Sequence, residues 1–217
     1  MRITAIEHQP RKRRYEVQID FMLGLTLSPE VFATSGLRVG QEITLERATA
    51  LEELQARHFA MSSAMRLLAY RPRSEKEMRA ALQRKGVKAP LMAETMTRLK
   101  ETRLLDDAEF ARSYVDQRDR SSPRSKRLLR AELRSKGVDG GAIERPLEAV
   151  DEADAAYRAA CKRARSLVGQ AHPDFQRRLG DFLLRRGFGY DTSREVMNRL
   201  WGELRAESPT EIDSFAQ

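Results

Sequence analysis

The residues of this chain best suited to acid–base, nucleophilic or metal chemistry are three histidines, one cysteine and one adjacent pair of aspartates. His8, His58 and His172 stand far apart and share no ligand-like spacing with Cys161, so a zinc-type site is not indicated. Asp106-Asp107 could hold a cation between two carboxylates. Glu109 follows three residues after Asp106, however, and an Asp so placed is the plainer N-cap of a helix. Cys161 lies among alanines, where a small core residue is expected, and a lone cysteine forms no internal disulfide. Tyr70, Tyr114 and Tyr190 could stack on bases, but their helical setting predicts core or helix-contact roles. No Gly-x-x-x-x-Gly-Lys-Ser/Thr loop is present to cradle nucleotide phosphates. The sequence reads as a non-enzyme with no cofactor and no metal.

What remains is electrostatic. Forty Lys and Arg face 32 Asp and Glu, a formal charge of +8, which suggests a polyanionic partner or an acidic protein surface. The excess is uneven: Arg118, Arg120, Arg124, Lys126, Arg127, Arg130, Arg134 and Lys136 face only Asp119 and Glu132 between residues 118 and 136. Most are Arg, which favours bidentate contact with phosphate or carboxylate. A solvated helix face explains any one of them; the cluster as a whole points to partner binding. No apolar run approaches the ~20 residues of a membrane span, and the N-terminus has no signal-peptide core, so a cytoplasmic protein is expected.

A phrase written three times shows which elements carry these side chains. Leu82-Gln-Arg-Lys85-Gly86-Val87, Leu133-Arg-Ser-Lys136-Gly137-Val138 and Leu183-Leu-Arg-Arg186-Gly187-Phe188 share the pattern Leu-x-x-basic-Gly-apolar, with glycines 51 and 50 residues apart. Apolar residues recur four before each Leu (Met78, Leu129, Leu179), and ten and thirteen after each Gly. Such a period marks a repeat architecture. The phrase reads as a helix end: an apolar stripe, a basic residue for the negative end of the dipole, then a glycine cap. Ser74-Glu-Lys-Glu77 is a capping box that predicts a helix from about Glu75 to Lys85. Pro123 and Pro173 sit where proline would open the equivalent helices. Second stripes follow at Met92, Met96 and Leu99, at Ile143, Leu147 and Val150, and at Val196, Met197 and Leu200. Earlier runs at Met65 to Tyr70, Phe110 to Val115 and Ala155 to Cys161 complete three short helices per unit. Pro146 should kink or shorten the last helix of the second unit.

The first residues differ. Ile3, Thr4 and Ile6, then Tyr15, Val17, Ile19, Phe21, Leu23, Leu25 and Leu27 alternate as half-buried strands do, around a basic loop at Pro10 to Arg14. Ser28-Pro29-Glu30 opens a short helix ending near Gly36, and Gly40 marks a turn. The fold expected is mainly α: three tandem three-helix repeats in an elongated array after a small β-rich module. Its parts are a β-rich module at 1–47, a linking helix and first repeat at 48–105, a second repeat at 106–150, a third at 151–206 and a flexible tail at 207–217.

Leu67-Leu68-Ala-Tyr70-Arg71-Pro72-Arg73-Ser74-Glu75-x-Glu77-Met78-Arg79, Leu104-Leu105-Asp106-Asp107-x-x-Phe110-Ala111, the three glycine phrases and Arg185-Arg186-Gly187-Phe188-x-Tyr190-Asp191 together resemble the RecX regulatory proteins, modulators of the recombinase RecA. The resemblance covers about residues 61 to 204. It implies a monomer that binds the RecA–DNA filament, bridges adjacent protomers and limits filament growth. Strand exchange and its coupled ATP hydrolysis would thereby be inhibited, in DNA repair, homologous recombination and the SOS response. The candidate partner-binding residues are Arg71, Arg73, Arg79, Arg124, Lys126, Arg127, Arg130, Arg177, Arg178, Arg185 and Arg186. A general nucleic-acid-binding protein, holding single- or double-stranded DNA through the same basic faces, is the alternative.

Overall fold

In the computed structural model, residues 1–20 and 23–207 are described. The chain divides into two compact units, Met1–Arg73 with Glu77–Leu105, and Ser74–Lys76 with Asp106–Gln217. In the first unit, β1 (Ile3–Gln9), β2 (Arg14–Ile19) and β3 (Leu23–Leu27) form an antiparallel sheet in that order. The basic loop is a 3-10 turn at Pro10–Lys12, closed by Arg13 with φ 50°. The alternating run from Tyr15 to Leu27 is not one strand. It breaks after Ile19, where Asp20 takes φ 46°, and β3 folds back to set Leu27 opposite Tyr15. A period of two continues across such a turn, so alternation alone does not locate it. Phe21 lies outside the described residues.

α1 (Pro29–Ser35) starts on Ser28, whose hydroxyl accepts the Val31 N–H, and ends on Gly36. α2 (Leu45–Tyr70) starts on Thr44, which accepts the Arg47 N–H. This one helix serves two clusters. Ala48 and Leu51 pack with Ile3, Val17, Ile19 and Leu27 of the sheet. Ala60 and Ala64 pack with Met78 and Leu82 of α3 (Glu75–Arg84), with Met96 and Leu99 of α4 (Ala89–Glu101), and with Leu105.

The second unit carries α5 (Asp107–Ser121), α6 (Lys126–Ser135), α7 (Gly140–Glu148), α8 (Glu152–Arg165), α9 (His172–Arg185) and α10 (Tyr190–Glu207). Six helices share one core, from Phe110 of α5 through Leu133, Ile143, Phe175 and Leu179 to Leu200. Five alanines of α8 are buried in it, small enough to let neighbouring backbones approach. Asp106 caps α5 by accepting the N–H groups of Ala108 and Glu109, the role read from its spacing. Pro173 lies in the first turn of α9, as expected. Pro123 does not open α6. Ser125 caps it instead, accepting the Leu128 N–H at 3.1 Å, while Pro123 lies in the connector and gives its carbonyl to Arg186. α7, with Pro146 inside it, has nine residues against thirteen in α4 and eighteen in α10. Tyr70 and Tyr190 are 85% and 69% exposed, against the core or helix-contact roles expected, because each falls at a helix end. Tyr114 alone of the three is half-buried, packed against the core. Of the tail read at 207–217, Glu207 closes α10, and residues 208–217 lie outside the described residues.

The repeated phrase is a hydrogen-bonding motif. Val87, Val138 and Phe188 each donate their N–H to the phrase's Leu carbonyl, at 3.2, 3.1 and 3.2 Å. Gly86, Gly137 and Gly187 each donate to the carbonyl one residue later, at 2.9 Å. This is the Schellman arrangement, with glycine at φ 80°, 82° and 85° and the two apolar ends of the phrase buried together. Inside the second unit the motif meets a serine. Ser74 donates its hydroxyl to the Lys136 carbonyl at 2.6 Å, and Ser125 donates its N–H to the Arg186 carbonyl at 3.1 Å. A Cβ on Gly137 would come within 2.7 Å of Lys76, and one on Gly187 within 2.5 Å of Ser125 and 2.8 Å of Leu128. At Gly86 the same space is open.

The three glycines therefore separate experimentally. Gly86→Ala should cost about 1 kcal/mol, the strain of a left-handed alanine. Gly187→Ala should cost about 3 kcal/mol, because displacement of packed atoms adds to that strain. Urea denaturation of the two variants measures the difference, and equal losses would refute the close-contact account.

Candidate partner interface

α6 turns Leu129 and Leu133 into the core, which leaves its basic residues on the outer side. The cations between residues 118 and 136 are more fully matched than the local sequence suggests. Arg124 and Arg118 both pair with Glu132, whose side chain is 17% exposed. The Tyr114 hydroxyl donates to Glu132 at 2.7 Å and accepts from Arg118, whose guanidinium lies 5.0 Å from the Tyr114 ring centre. Arg130 makes two 2.7 Å hydrogen bonds to Glu144 of α7. That bond holds the Glu144 carboxyl below its usual range and raises Arg130. The contact contributes above the ordinary carboxylate range and fades as pH falls through the depressed Glu144 value. Glu144 lies fourteen residues from Arg130, so nothing local announces the pair.

Lys126 and Arg127 have no carboxylate partner among the described residues; Arg127 reaches only the Gly187 carbonyl, at 3.5 Å. Arg186 donates to the Ser122 hydroxyl at 2.9 Å and to the Pro123 carbonyl at 3.0 Å, and lies over the Phe182 ring. Burial, and then the charge of Arg124, push its guanidinium below the ordinary arginine value. Arg124, Arg127 and Arg186 thus gather around the Gly187 turn. Arg177 pairs with Asp174 at 2.9 Å near the start of α9, with Arg178 beside it; Arg185 is exposed at the other end of that helix. Arg71, Arg73 and Arg79 belong to the first unit. Arg71 pairs with Glu77 at 2.7 Å, Arg73 gives a hydrogen bond to the Leu67 carbonyl, and Arg79 is exposed. Burial and the neighbouring Arg71 charge lower Arg73. Sequence reasoning passed over Arg158, Lys162 and Arg163, which α8 sets beside Arg120 and Arg186 around a cavity. Their signal was weak, a basic pair within an alanine-rich helix.

The repeated geometry has a counterpart in known proteins. Residues 60–99, 106–147 and 150–197 match the models of the first, second and third three-helix domains of RecX, in that order. The chain belongs to the RecX family. The regulatory protein RecX of Chlorobaculum tepidum is 35% identical over 150 residues, covering 69% of this chain and 92% of that protein. That of Oceanobacillus iheyensis is 30% identical over 207 residues, covering 92% and 75%. A crystal structure of regulatory protein RecX has the same fold, with a TM-score of 0.61 at 22% identity over 91% of this chain and 98% of that one. RecX from Lactobacillus salivarius gives 0.58 at 22% identity over 68% and 97%. Among the described residues, no helix is long and apolar enough to cross a membrane, and no group of His, Cys, Asp and Glu could hold a metal ion.

The pairing pattern ranks the acids of this RecX-family chain. Glu132→Gln should destabilise the second unit by about 2 kcal/mol, because Arg118, Arg124 and the Tyr114 hydroxyl lose a largely buried acceptor. Glu144→Gln should cost less, since exposed pairs contribute little. Urea denaturation gives both values, and the reverse order would show that the Glu132 network is not structural.

Proposed function

We propose that this chain regulates the recombinase RecA by binding the RecA–DNA filament and limiting its growth, with inhibition of strand exchange and coupled ATP hydrolysis. The observation that carries the reading is the run of three RecX three-helix domains in order, in a chain whose relatives are regulatory proteins RecX. On this proposal the chain is a non-catalytic regulator that acts as a monomer, in the cytoplasm, beside DNA.

The outer side of α6 is the part we assign to docking. Arg124 and Arg130 are engaged by Glu132 and Glu144, so Lys126 and Arg127 are the cations best placed to meet an acidic partner. Arg71, Arg73 and Arg79 of the first unit, Arg177, Arg178 and Arg185 of α9, and Arg186 at its C-cap remain candidates for additional contacts. Charges at the rim of an interface act mainly on encounter rate and partner choice.

Replacing Lys126 and Arg127 together by Glu should raise the concentration needed to inhibit RecA's DNA-dependent ATPase at least tenfold, with the helical circular dichroism unchanged. This pair avoids the salt bridges of Arg124 and Arg130; it removes the long 3.5 Å hydrogen bond from Arg127 to the Gly187 carbonyl, which the circular dichroism control covers. A folded double variant that inhibits as well as the parent would remove α6 from the interface. A parent chain without effect on RecA would refute the filament reading itself.

A further inference from the structure

A cavity of about 490 Å³ lies in the second unit, walled by the end of α5, the end of α8 and α9. Among the described residues, five cations line it: Arg120, Arg158, Lys162, Arg163 and Arg186; no carboxylate does. Arg158 is matched, by Asp119 at 2.7 Å and Asp154 at 2.6 Å. Setting those two carboxylates against the five cations leaves three positive charges. Arg120, Lys162 and Arg163 are exposed and have no carboxylate partner among the described residues. Among the described residues, Arg186 is fixed by neutral groups only, the Ser122 hydroxyl oxygen and the Pro123 carbonyl, with its guanidinium carbon 4.6 Å from the Phe182 ring centre. Ser122 accepts from Arg186, which leaves its own O–H proton to donate elsewhere.

A simpler account is that these residues neutralise helix ends. The C-termini of α5, α8 and α9 contribute about −0.5 charge each, which offsets about half of the excess. The remainder, in a concave site with guanidinium and hydroxyl donors, suits a multiply charged anion with several acceptor oxygens. We infer that the cavity is a binding site for phosphate groups, with Arg120, Lys162, Arg163 and Arg186 supplying charge and Ser122 an oriented hydroxyl. A phosphorylated small molecule and a nucleic-acid backbone present the same chemistry. The inference stands apart from RecA binding.

Titration of the full chain with pyrophosphate, without RecA or DNA, tests it. Saturable one-to-one binding is expected. Lys162→Ala with Arg163→Ala should weaken it at least tenfold while circular dichroism and the melting temperature stay unchanged; Arg120→Ala should weaken it independently. Both sites are exposed and lie outside the packed core. Displacement of pyrophosphate by an oligothymidylate would identify a strand backbone as the source, and displacement by ADP alone a small phosphorylated ligand; either supports the site. The inference is overturned if pyrophosphate does not bind saturably, if binding is indifferent to these substitutions, or if citrate competes as well as pyrophosphate.

Discussion

Where Ser125 gives its N–H to the carbonyl of Arg186, the chain beyond that carbonyl turns at φ 85° and has no room for a side chain, so the helix end and the contact it receives are one constraint. The same holds where the Ser74 hydroxyl meets the carbonyl of Lys136 and Gly137 turns away beside Lys76. A serine at a helix start is thus joined to a glycine at a later helix end, with a separation near sixty residues in both cases. Much of the second unit follows. The glycine sends Val138 or Phe188 back into the core, the next helix starts from there, and the basic residue before the glycine is held with its carbonyl committed. Arg186 illustrates the result, since its backbone serves the joint while its guanidinium faces the cavity.

The architecture was largely legible because its signals are local. A Schellman motif fits within six residues, so its Leu, Gly and apolar end could be read three times directly from the chain. The cap at Asp106 and the short helix from Pro29 to Ser35 were legible for the same reason. The failures also have local causes. Ser125 and Ser122 are both plausible caps, and the carbonyl of Arg186, sixty-one residues after Ser125, fixes which one opens α6. The break after Ile19 preserves the alternation on either side and is therefore silent.

The charged surface was legible in total and illegible in detail. An excess of cations between residues 118 and 136 suggested one open basic face. Glu132 instead gathers Arg118 and Arg124, and Glu144 and Asp119 take Arg130 and Arg158 from other helices. Long side chains choose counter-ions through space, so counting charges along a segment overstates what is free. The converse holds for α8, whose Lys162 and Arg163 seemed unremarkable in sequence and gain their interest only from Arg120 and Arg186 beside them.

The helix α2 acts as a shaft keyed at both ends. Its first part presents Ala48 and Leu51 to the sheet, and its second part presents Ala60 and Ala64 to α3 and α4; the match to the first RecX domain begins only at residue 60. Each added or lost residue between the two keys would rotate one end against the other by about 100°. Length change in this stretch is thus tolerated in steps that restore the phase, about seven, eleven or eighteen residues, and not one at a time. The β-rich module is bound to its neighbour in the first unit by angular timing, without a linker that could absorb a slip.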